Sequence, residues 1–218
     1  KTEAALGYWL LNAPERQGLF FALPSMATAD AMFARVQGLF VDADLFGALA
    51  HGRSMLNQFY AEPPRQIRGE IHDGAPTGLH AGKWFHSSRR AVLAPVTVGT
   101  ADQLLLGVVR HRYNFLRMLG AATKTVVFDE IHSYDPYMAT LLQRFLVWAG
   151  RLKIDVVLLS ATLPTEQLHA YVTAYGGEIS TSAAYPAVVS VATDGTTVTD
   201  ELAASEAART LHLQYHQV

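Results

Sequence analysis

The chain has 218 residues, enough for one ample domain or a domain with a connector, and half of its residues are hydrophobic. Charged residues make up only 17%, which argues against long disordered segments, and a formal net charge of -2 argues against a generic basic coat for nucleic acid. Cysteine is absent, which excludes disulfides, thiolate metal sites and cysteine nucleophiles; with no long apolar run and no signal-peptide pattern, a cytoplasmic home is the expectation.

Short apolar runs alternate with helical periodicity along most of the chain, the pattern of an α/β fold with a mostly parallel sheet and helices on both faces. Lys1 to Leu11 reads as a first helix, closed by Asn12-Ala13-Pro14. Gly18 to Leu23 is a continuous apolar run stopped by Pro24, as a fully buried strand reads. Ala27 to Phe40 places Met32, Phe33, Val36 and Phe40 on one helical face, with Ser25 or Thr28 as cap. A short strand is expected within Leu45 to His51. From Gly52 to about Arg90 the pattern weakens around Pro63-Pro64, Gly74-Ala75-Pro76 and Gly82, and irregular structure is expected. Ala91 to Val98 reads as a strand, Ala101 to Val109 and Tyr113 to Leu119 as helices, and Thr125 to Phe128 as a strand. Pro136 to Gly150 is a strongly amphipathic helix with Met138, Leu141, Leu142, Phe145 and Ala149 at helical spacing. Val156 to Leu159 is the next strand, and Thr165 opens a further helix. Beyond Gly176-Gly177 a strand is expected over Ala187 to Ala192, a turn at Asp194-Gly195 and a polar helix from Asp200 to about Tyr215. Residues 1–180 therefore read as one lobe, and 181–218 as a connector or the start of a second.

Two of the strands end abruptly in chemistry. Val126-Val127-Phe128 runs into Asp129-Glu130-Ile131-His132, and Leu158-Leu159 runs into Ser160-Ala161-Thr162. Asp-Glu at the tip of a buried strand is the Walker B arrangement of P-loop NTPases, where the Asp holds Mg²⁺ and the neighbouring acid orients the attacking water. His132 turns it into a DExH box, and Ser-Ala-Thr on a later strand is the coupling motif that accompanies that box in superfamily 2 helicases. Lys1-Thr2, followed by helical periodicity, reads like the end of a Walker A motif. Lys1 would reach the β- and γ-phosphates of ATP, Thr2 would join Asp129 on Mg²⁺, and the helix N-terminus would favour the anionic phosphates. The initial strand and the glycine-rich loop of that motif are not among these residues, so the chain reads as a fragment, expected to be inactive as an isolated ATPase.

The extended motifs narrow the family. Phe21 to Met32 and Leu93 to Leu105 resemble the DNA-contacting motifs of the CRISPR-associated helicase–nuclease of type I interference systems. Asp129-Glu130-Ile131-His132-Ser133-Tyr134-Asp135-Pro136-Tyr137-Met138 is similar to that family's extended Walker B region, and Leu158 to Pro164 completes the set. The resemblance covers residues 1 to about 175 and implies the first RecA-like lobe of a P-loop NTPase. It further implies ATP and Mg²⁺ as cofactors, single-stranded DNA and a crRNA-guided surveillance complex as partners, no membrane, and a full protein that carries an HD nuclease and unwinds target DNA in antiviral defence. His72-Asp73 is an HD dipeptide, but it stands alone beside Gly74 and Pro76 and reads as a turn.

On this reading Glu130 and Asp129 are the catalytic pair, Lys1 and Thr2 hold the nucleotide, and Thr2 and Asp129 hold Mg²⁺. The resemblance gives His132, Ser160 and Thr162 the task of coupling hydrolysis to movement. Ser25, Thr28, Thr97, Gly99 and Thr100 are the candidate contacts to DNA phosphates, through hydroxyls and amides that follow a backbone without reading bases. Helix capping accounts for Ser25 and Thr28 almost as well, and Asp135 before Pro136 is at least as good an N-cap as a functional acid. Tyr137 and Met138 read as core. The run Lys83 to Arg90 mixes bases with aromatics as single-strand binders do, and equally reads as a solvated loop anchored by one aromatic pair. Competing functions are another DExH-box lobe acting on DNA or RNA, and a non-catalytic binding module with the same fold.

Overall fold

A computed structural model describes residues 1–12, 18–39, 44–51, 78–80, 85, 88–110, 112–179 and 186–203. In chain order the elements are α1 (Thr2–Asn12), β1 (Gly18–Leu23), α2 (Met26–Leu39), β2 (Asp44–Ala50), β3 (Gly78–His80) and α3 (Ser88–Ala91). There follow β4 (Val96–Thr100), α4 (Ala101–Leu105), α5 (Asn114–Ala122), β5 (Lys124–Phe128), α6 (Pro136–Leu152), β6 (Asp155–Leu158) and α7 (Thr165–Tyr175). A hairpin of β7 (Ala187–Val191) and β8 (Thr197–Glu201) comes last.

Six strands form one sheet in the order β3-β2-β4-β1-β5-β6, and every pairing in it is parallel. All six carboxyl ends therefore face the same way. The hairpin is a separate antiparallel pair. Alternation along the buried strands divides the interior in two. Leu19, Phe21 and Leu23 of β1, with Val96, Val98 and Val127, pack against Leu6 and Trp9 of α1 and Met32, Phe33 and Val36 of α2. Phe20 and Ala22, with Val126 and Phe128, face the other way onto Leu104 and Leu105 of α4 and onto α6 and α7. There the Phe128 and Phe145 rings meet edge to face at 5.3 Å. Parallel strands covered on both faces read as unbroken apolar runs, which is why β1 was legible to the residue.

The helix α6 starts where its sequence demands. Asp135 caps it, accepting a 2.7 Å hydrogen bond from the Met138 amide, and Pro136 occupies the first turn. It ends on Lys153 in the left-handed region (φ 54°), with the Ile154 amide returning to Ala149 and Ile154 fully buried. Helices α6 and α7 cross so closely that a Cβ on Gly150 would collide with the carbonyl oxygen of Tyr175.

Some expectations need correction. The strand expected over Ala91 to Val98 is shorter and later, Val96–Thr100, because Ala91 closes α3 and Pro95 intervenes. Asp200 lies in β8 instead of opening a helix; the rest of that expected helix lies beyond the described residues. Irregular structure was expected up to Arg90, yet β3 and α3 form within that stretch. His72-Asp73 and most of Lys83 to Arg90 fall outside the described residues. Tyr137 is 64% exposed and is not core, since it sits on the outer side of α6, whereas Met138 packs inward.

One buried charge stands apart from these apolar layers. Lys124, at the start of β5, is 2% exposed; its Nζ donates to the Val92 carbonyl and, at 3.2 Å, to Thr97 Oγ1. Burial pushes its ammonium down to about 7 from 10.5. Between those values the unfolded chain holds a proton that the folded chain has lost, so stability rises with pH across that window and the full penalty applies below it. The slope is at most about 1.4 kcal/mol per pH unit. Lys124→Met should be more stable than wild type at pH 7, with a margin that shrinks as pH rises towards 10; urea titrations at several pH values check this, and a margin independent of pH would contradict it. At the end of α6, Lys153→Gly should stabilise by about 1 kcal/mol by relieving the left-handed backbone, whereas Gly150→Ala should destabilise by more than that. Thermal unfolding of the two variants reads both signs.

Candidate functional site

Because β1, β5 and β6 run parallel in register, Ala22, Phe128 and Leu158 lie in one row across the sheet. The ladder continues past the strand ends. The Asp129 amide donates to Ala22 O at 2.9 Å, the Leu159 amide to Phe128 O at 2.8 Å and the Ile131 amide to Leu159 O at 3.1 Å. Those bonds bring Asp129-Glu130 and Ser160-Ala161-Thr162 side by side at the carboxyl edge, where ligands bind in open α/β sheets.

Asp129 is 8% exposed, and its Oδ1 accepts the Glu130 amide at 2.9 Å. Burial raises its pKa above the ordinary carboxylate value; the hydrogen bond from the Glu130 amide opposes the rise, the Glu130 charge adds to it, and the nearby Lys1 ammonium opposes it. Glu130 takes the left-handed conformation, φ 52° and ψ 40°, which costs a non-glycine residue on the order of 1 kcal/mol or more. Its surroundings over-determine that conformation. A 3₁₀ turn over Ile131–Ser133 follows directly, and the Ser133 amide (2.8 Å) and hydroxyl (2.7 Å) both donate to the Glu130 carbonyl.

His132 ties the two loops together. The Ala161 amide can only donate, so His132 Nδ1, at 3.3 Å, must accept and the ring proton resides on Nε2. That Nε2 lies 3.1 Å from Glu130 Oε2, giving a relay from the second loop through the imidazole to the carboxylate. Ser160 Oγ is 3.5 Å from Nδ1, but its proton goes to the Thr162 carbonyl at 2.6 Å. The link therefore runs through the Ala161 backbone; Ser160 and Thr162 shape the turn that presents it. Lys1 Nζ donates to Ser160 O at 2.7 Å, so the helix α1 also reaches this loop. Thr2 opens α1 one residue on.

The five candidate DNA contacts separate into two groups. Ser25 and Thr28 are exposed beyond the end of β1; Ser25 Oγ accepts the Thr28 amide at 3.3 Å and Thr28 Oγ1 donates to Ser25 O at 2.9 Å, so they also cap α2. Thr100 ends β4 on the same edge and is 7% exposed. Thr97 is fully buried and its hydroxyl lies 3.1 Å from both the Ala91 and Ala94 carbonyls, so it does not face a phosphate. Gly99 is buried where β4 passes β2, with no room for a Cβ beside Ala50 O, and its role there is packing. Ser133 and Ala161 were not singled out from the sequence, since one acts on a backbone carbonyl and the other through its own amide. Among the described residues no group of three or more His, Asp or Glu side chains is placed to hold a metal, and no helix is long and apolar enough to cross a membrane.

No protein-family model matches the chain. It is 43% identical over 189 residues to the CRISPR-associated endonuclease/helicase Cas3 of Thermus thermophilus, covering 82% of this chain and 20% of that protein. The crystal structure of T. fusca Cas3 superimposes with a TM-score of 0.78 at 35% identity, over 91% of this chain and 24% of that one; its ATP form gives 0.75 at 34%, over 89% and 23%. A pre-nicking CRISPR RNA-guided surveillance complex contains a chain matching at TM-score 0.61 and 31% identity, over 91% of this chain and 20% of that one. The chain thus spans about a fifth of the length of the curated relatives it matches.

A buried carboxylate with a raised pKa weakens the fold at neutral pH. Its stabilising contribution is present below the unfolded value of 3.8 and is lost as pH rises through the higher folded value. Asp129→Asn should therefore raise the unfolding temperature at pH 7 in the absence of ligand, by a margin that shrinks as pH falls towards the carboxylate range. Calorimetry of both proteins checks this, and an unchanged midpoint at pH 7 would count against it.

Proposed function

The chain belongs, as a partial region, to the CRISPR-associated Cas3 nuclease/helicase family, and we propose that it is the ATP-binding motor lobe through which such a protein hydrolyses ATP to unwind target DNA. Its α/β architecture is that of the family's RecA-like lobe. In this proposal residues 1–180 make up the lobe, and 181–218, which include the separate β7–β8 hairpin, connect it onward.

One observation carries the reading: Lys1, Asp129, Glu130, His132 and the loop 160–162 converge at one edge of the sheet. The donors suit Mg²⁺ and a nucleotide. Asp129 is a largely buried carboxylate whose charge is disfavoured by desolvation, the state that a hard cation would relieve, and Lys1 offers an ammonium beside it. Thr2 and Asp129 would hold the metal and Lys1 the phosphates. Bound ATP with its metal supplies the electrophilic phosphoryl group.

The remaining steps belong to this chain's own side chains. Glu130 presents a carboxylate to orient a water and accept its proton, and the Nε2 proton of His132 steadies that carboxylate from 3.1 Å away. Movement of the 160–162 loop would shift the Ala161 amide, reorient His132 and so alter the reach of Glu130. That is the route by which hydrolysis and motion would be linked. Ser25, Thr28 and Thr100, on the same edge, are the proposed contacts to the phosphates of single-stranded DNA. Association with a crRNA-guided surveillance complex through the full-length protein is part of the same proposal, and a T. fusca Cas3 structure with ATP supports the choice of nucleotide.

Glu130→Gln in the full-length protein should abolish DNA-stimulated ATP turnover while leaving nucleotide affinity within a few-fold of wild type. The amide keeps the shape and loses the charge. Steady-state hydrolysis together with binding of a fluorescent nucleotide reads both quantities, and turnover close to wild type would refute the role of Glu130.

A further inference from the structure

The acidic motif runs on into a tyrosine that the steps above do not use. Tyr134 closes the 3₁₀ turn over Ile131–Ser133, and its amide donates to the Ile131 carbonyl at 3.2 Å. Its ring packs against the apolar core on the α6 and α7 side of the sheet. Its hydroxyl is buried there, yet has no hydrogen-bond partner among the described residues. A buried hydroxyl left unpaired costs the fold stability, and such a group calls for a reason.

A second tyrosine lies beside it. Tyr171 of α7 belongs to the same core and is 2% exposed. Its hydroxyl accepts a hydrogen bond from Gln167 Nε2 at 2.8 Å and donates to no group among the described residues. Burial raises the pKa of both phenols. At Tyr134 the neighbouring Tyr171, Asp129 and Asp102 raise it further, whereas at Tyr171 the Gln167 bond opposes the rise. Both phenols therefore keep their protons at neutral pH, and each is a buried donor without an acceptor. They are near enough to feel one another's charge, so an approach of one ring towards the other would join the two hydroxyls.

The two tyrosines are carried by the two loops of the site. Tyr134 follows closely on His132 and moves with β5. The helix α7 opens at Thr165, directly after the 160–162 loop, and the Leu168 amide ties its first turn to the Pro164 carbonyl at 3.0 Å. A displacement of that loop therefore carries Tyr171 with it, relative to Tyr134. We infer that Tyr134 is a positioning residue for the 160–162 loop, acting through Tyr171: the two hydroxyls pair in a second arrangement of that loop and α7, and DNA shifts the lobe towards it. The arrangement described above is the one in which the hydroxyls are apart. Pairing would hold α7 against the acidic motif beneath the contact of His132 with the Ala161 amide, so both contacts would report the same movement. The inference deepens the proposed motor function and rests on it.

Tyr134→Phe in the full-length protein keeps the ring and removes only the hydroxyl. The unfolding midpoint should rise, since an unpaired donor leaves the core. ATP turnover without DNA should stay within about two-fold of wild type, while stimulation by saturating single-stranded DNA falls about ten-fold. Tyr171→Phe should lower the stimulation by the same factor, and the double variant by no more than either single change, because each removes the same bond. A higher midpoint with unchanged stimulation would overturn the inference and leave the hydroxyl a packing cost alone. A lower midpoint for Tyr134→Phe would also overturn it, by showing that the hydroxyl is already bonded in the arrangement described. Losses that multiply in the double variant would sink the pairing. So would a loss confined to Tyr134→Phe, which would give its hydroxyl another acceptor, such as Asp102. If wild type itself showed no DNA-stimulated turnover, the motor reading would fall and this inference with it; stimulation kept by wild type and variants alike would remove this inference only.

Discussion

Everything at the carboxyl edge depends on three backbone hydrogen bonds that extend the parallel ladder beyond its strands: Asp129 to Ala22, Leu159 to Phe128 and Ile131 to Leu159. Each contributes a net of about 1 kcal/mol, so their importance is positional rather than energetic. A slip of one residue between β5 and β6 would turn Val156 and Leu158 away from the core and carry the 160–162 loop past His132. The apolar side chains that forbid this slip are the interleaved layers on the two faces of the sheet. The core thus fixes the site by fixing register.

Two consecutive site residues carry local costs, one of them a left-handed backbone that Tyr113 and Lys153 also adopt elsewhere in the fold. Asp129 keeps a carboxylate largely out of water, and Glu130 adopts a conformation suited to glycine. Both costs fall where chemistry is proposed, and the hydrogen bonds of Ser133, Ile131 and Asp129 itself hold the backbone around Glu130 in that conformation. The 3.1 Å contact with His132 Nε2, and not the backbone alone, places the Glu130 carboxylate. Outside the site, Lys124 carries a desolvation cost of its own. It is a buried cation answered by a carbonyl and a hydroxyl rather than by an acid, and the same hydroxyl removes Thr97 from any role at the surface.

The helix α6 joins these themes. Asp135 and Pro136 start it immediately after the acidic motif, so its inner face braces β5 through Phe145 against Phe128 while its first turn borders the site. Tyr137, which the sequence offers as core, lies with Trp148 on its outer face. Which side of a helix is outward is settled by the elements packed on it, and here the sheet and α7 claim the opposite side.

The sequence by itself determined the layered parallel fold, the strands β1, β5 and β6 to within a residue or so, the acidic pair, its histidine and the second loop, because buried parallel strands are unbroken apolar runs and their ends are abrupt. It also offered Asp135 as a cap, through the Asp-Pro signature, beside the reading as a functional acid; the hydrogen bond from the Met138 amide makes it the cap. Only the tertiary structure decided which groups meet. Ala161 matters through an amide that every residue has, Ser133 through a carbonyl of its neighbour, and the left-handed Glu130 through contacts from a strand about 30 residues further on. Thr97 and Thr100 are both threonines of one short strand, yet alternation turns Thr97 inward to Lys124 while Thr100 ends at the edge. A pattern of residue types cannot separate such cases, because they differ in what lies opposite across the sheet and not in their own sequence neighbourhood.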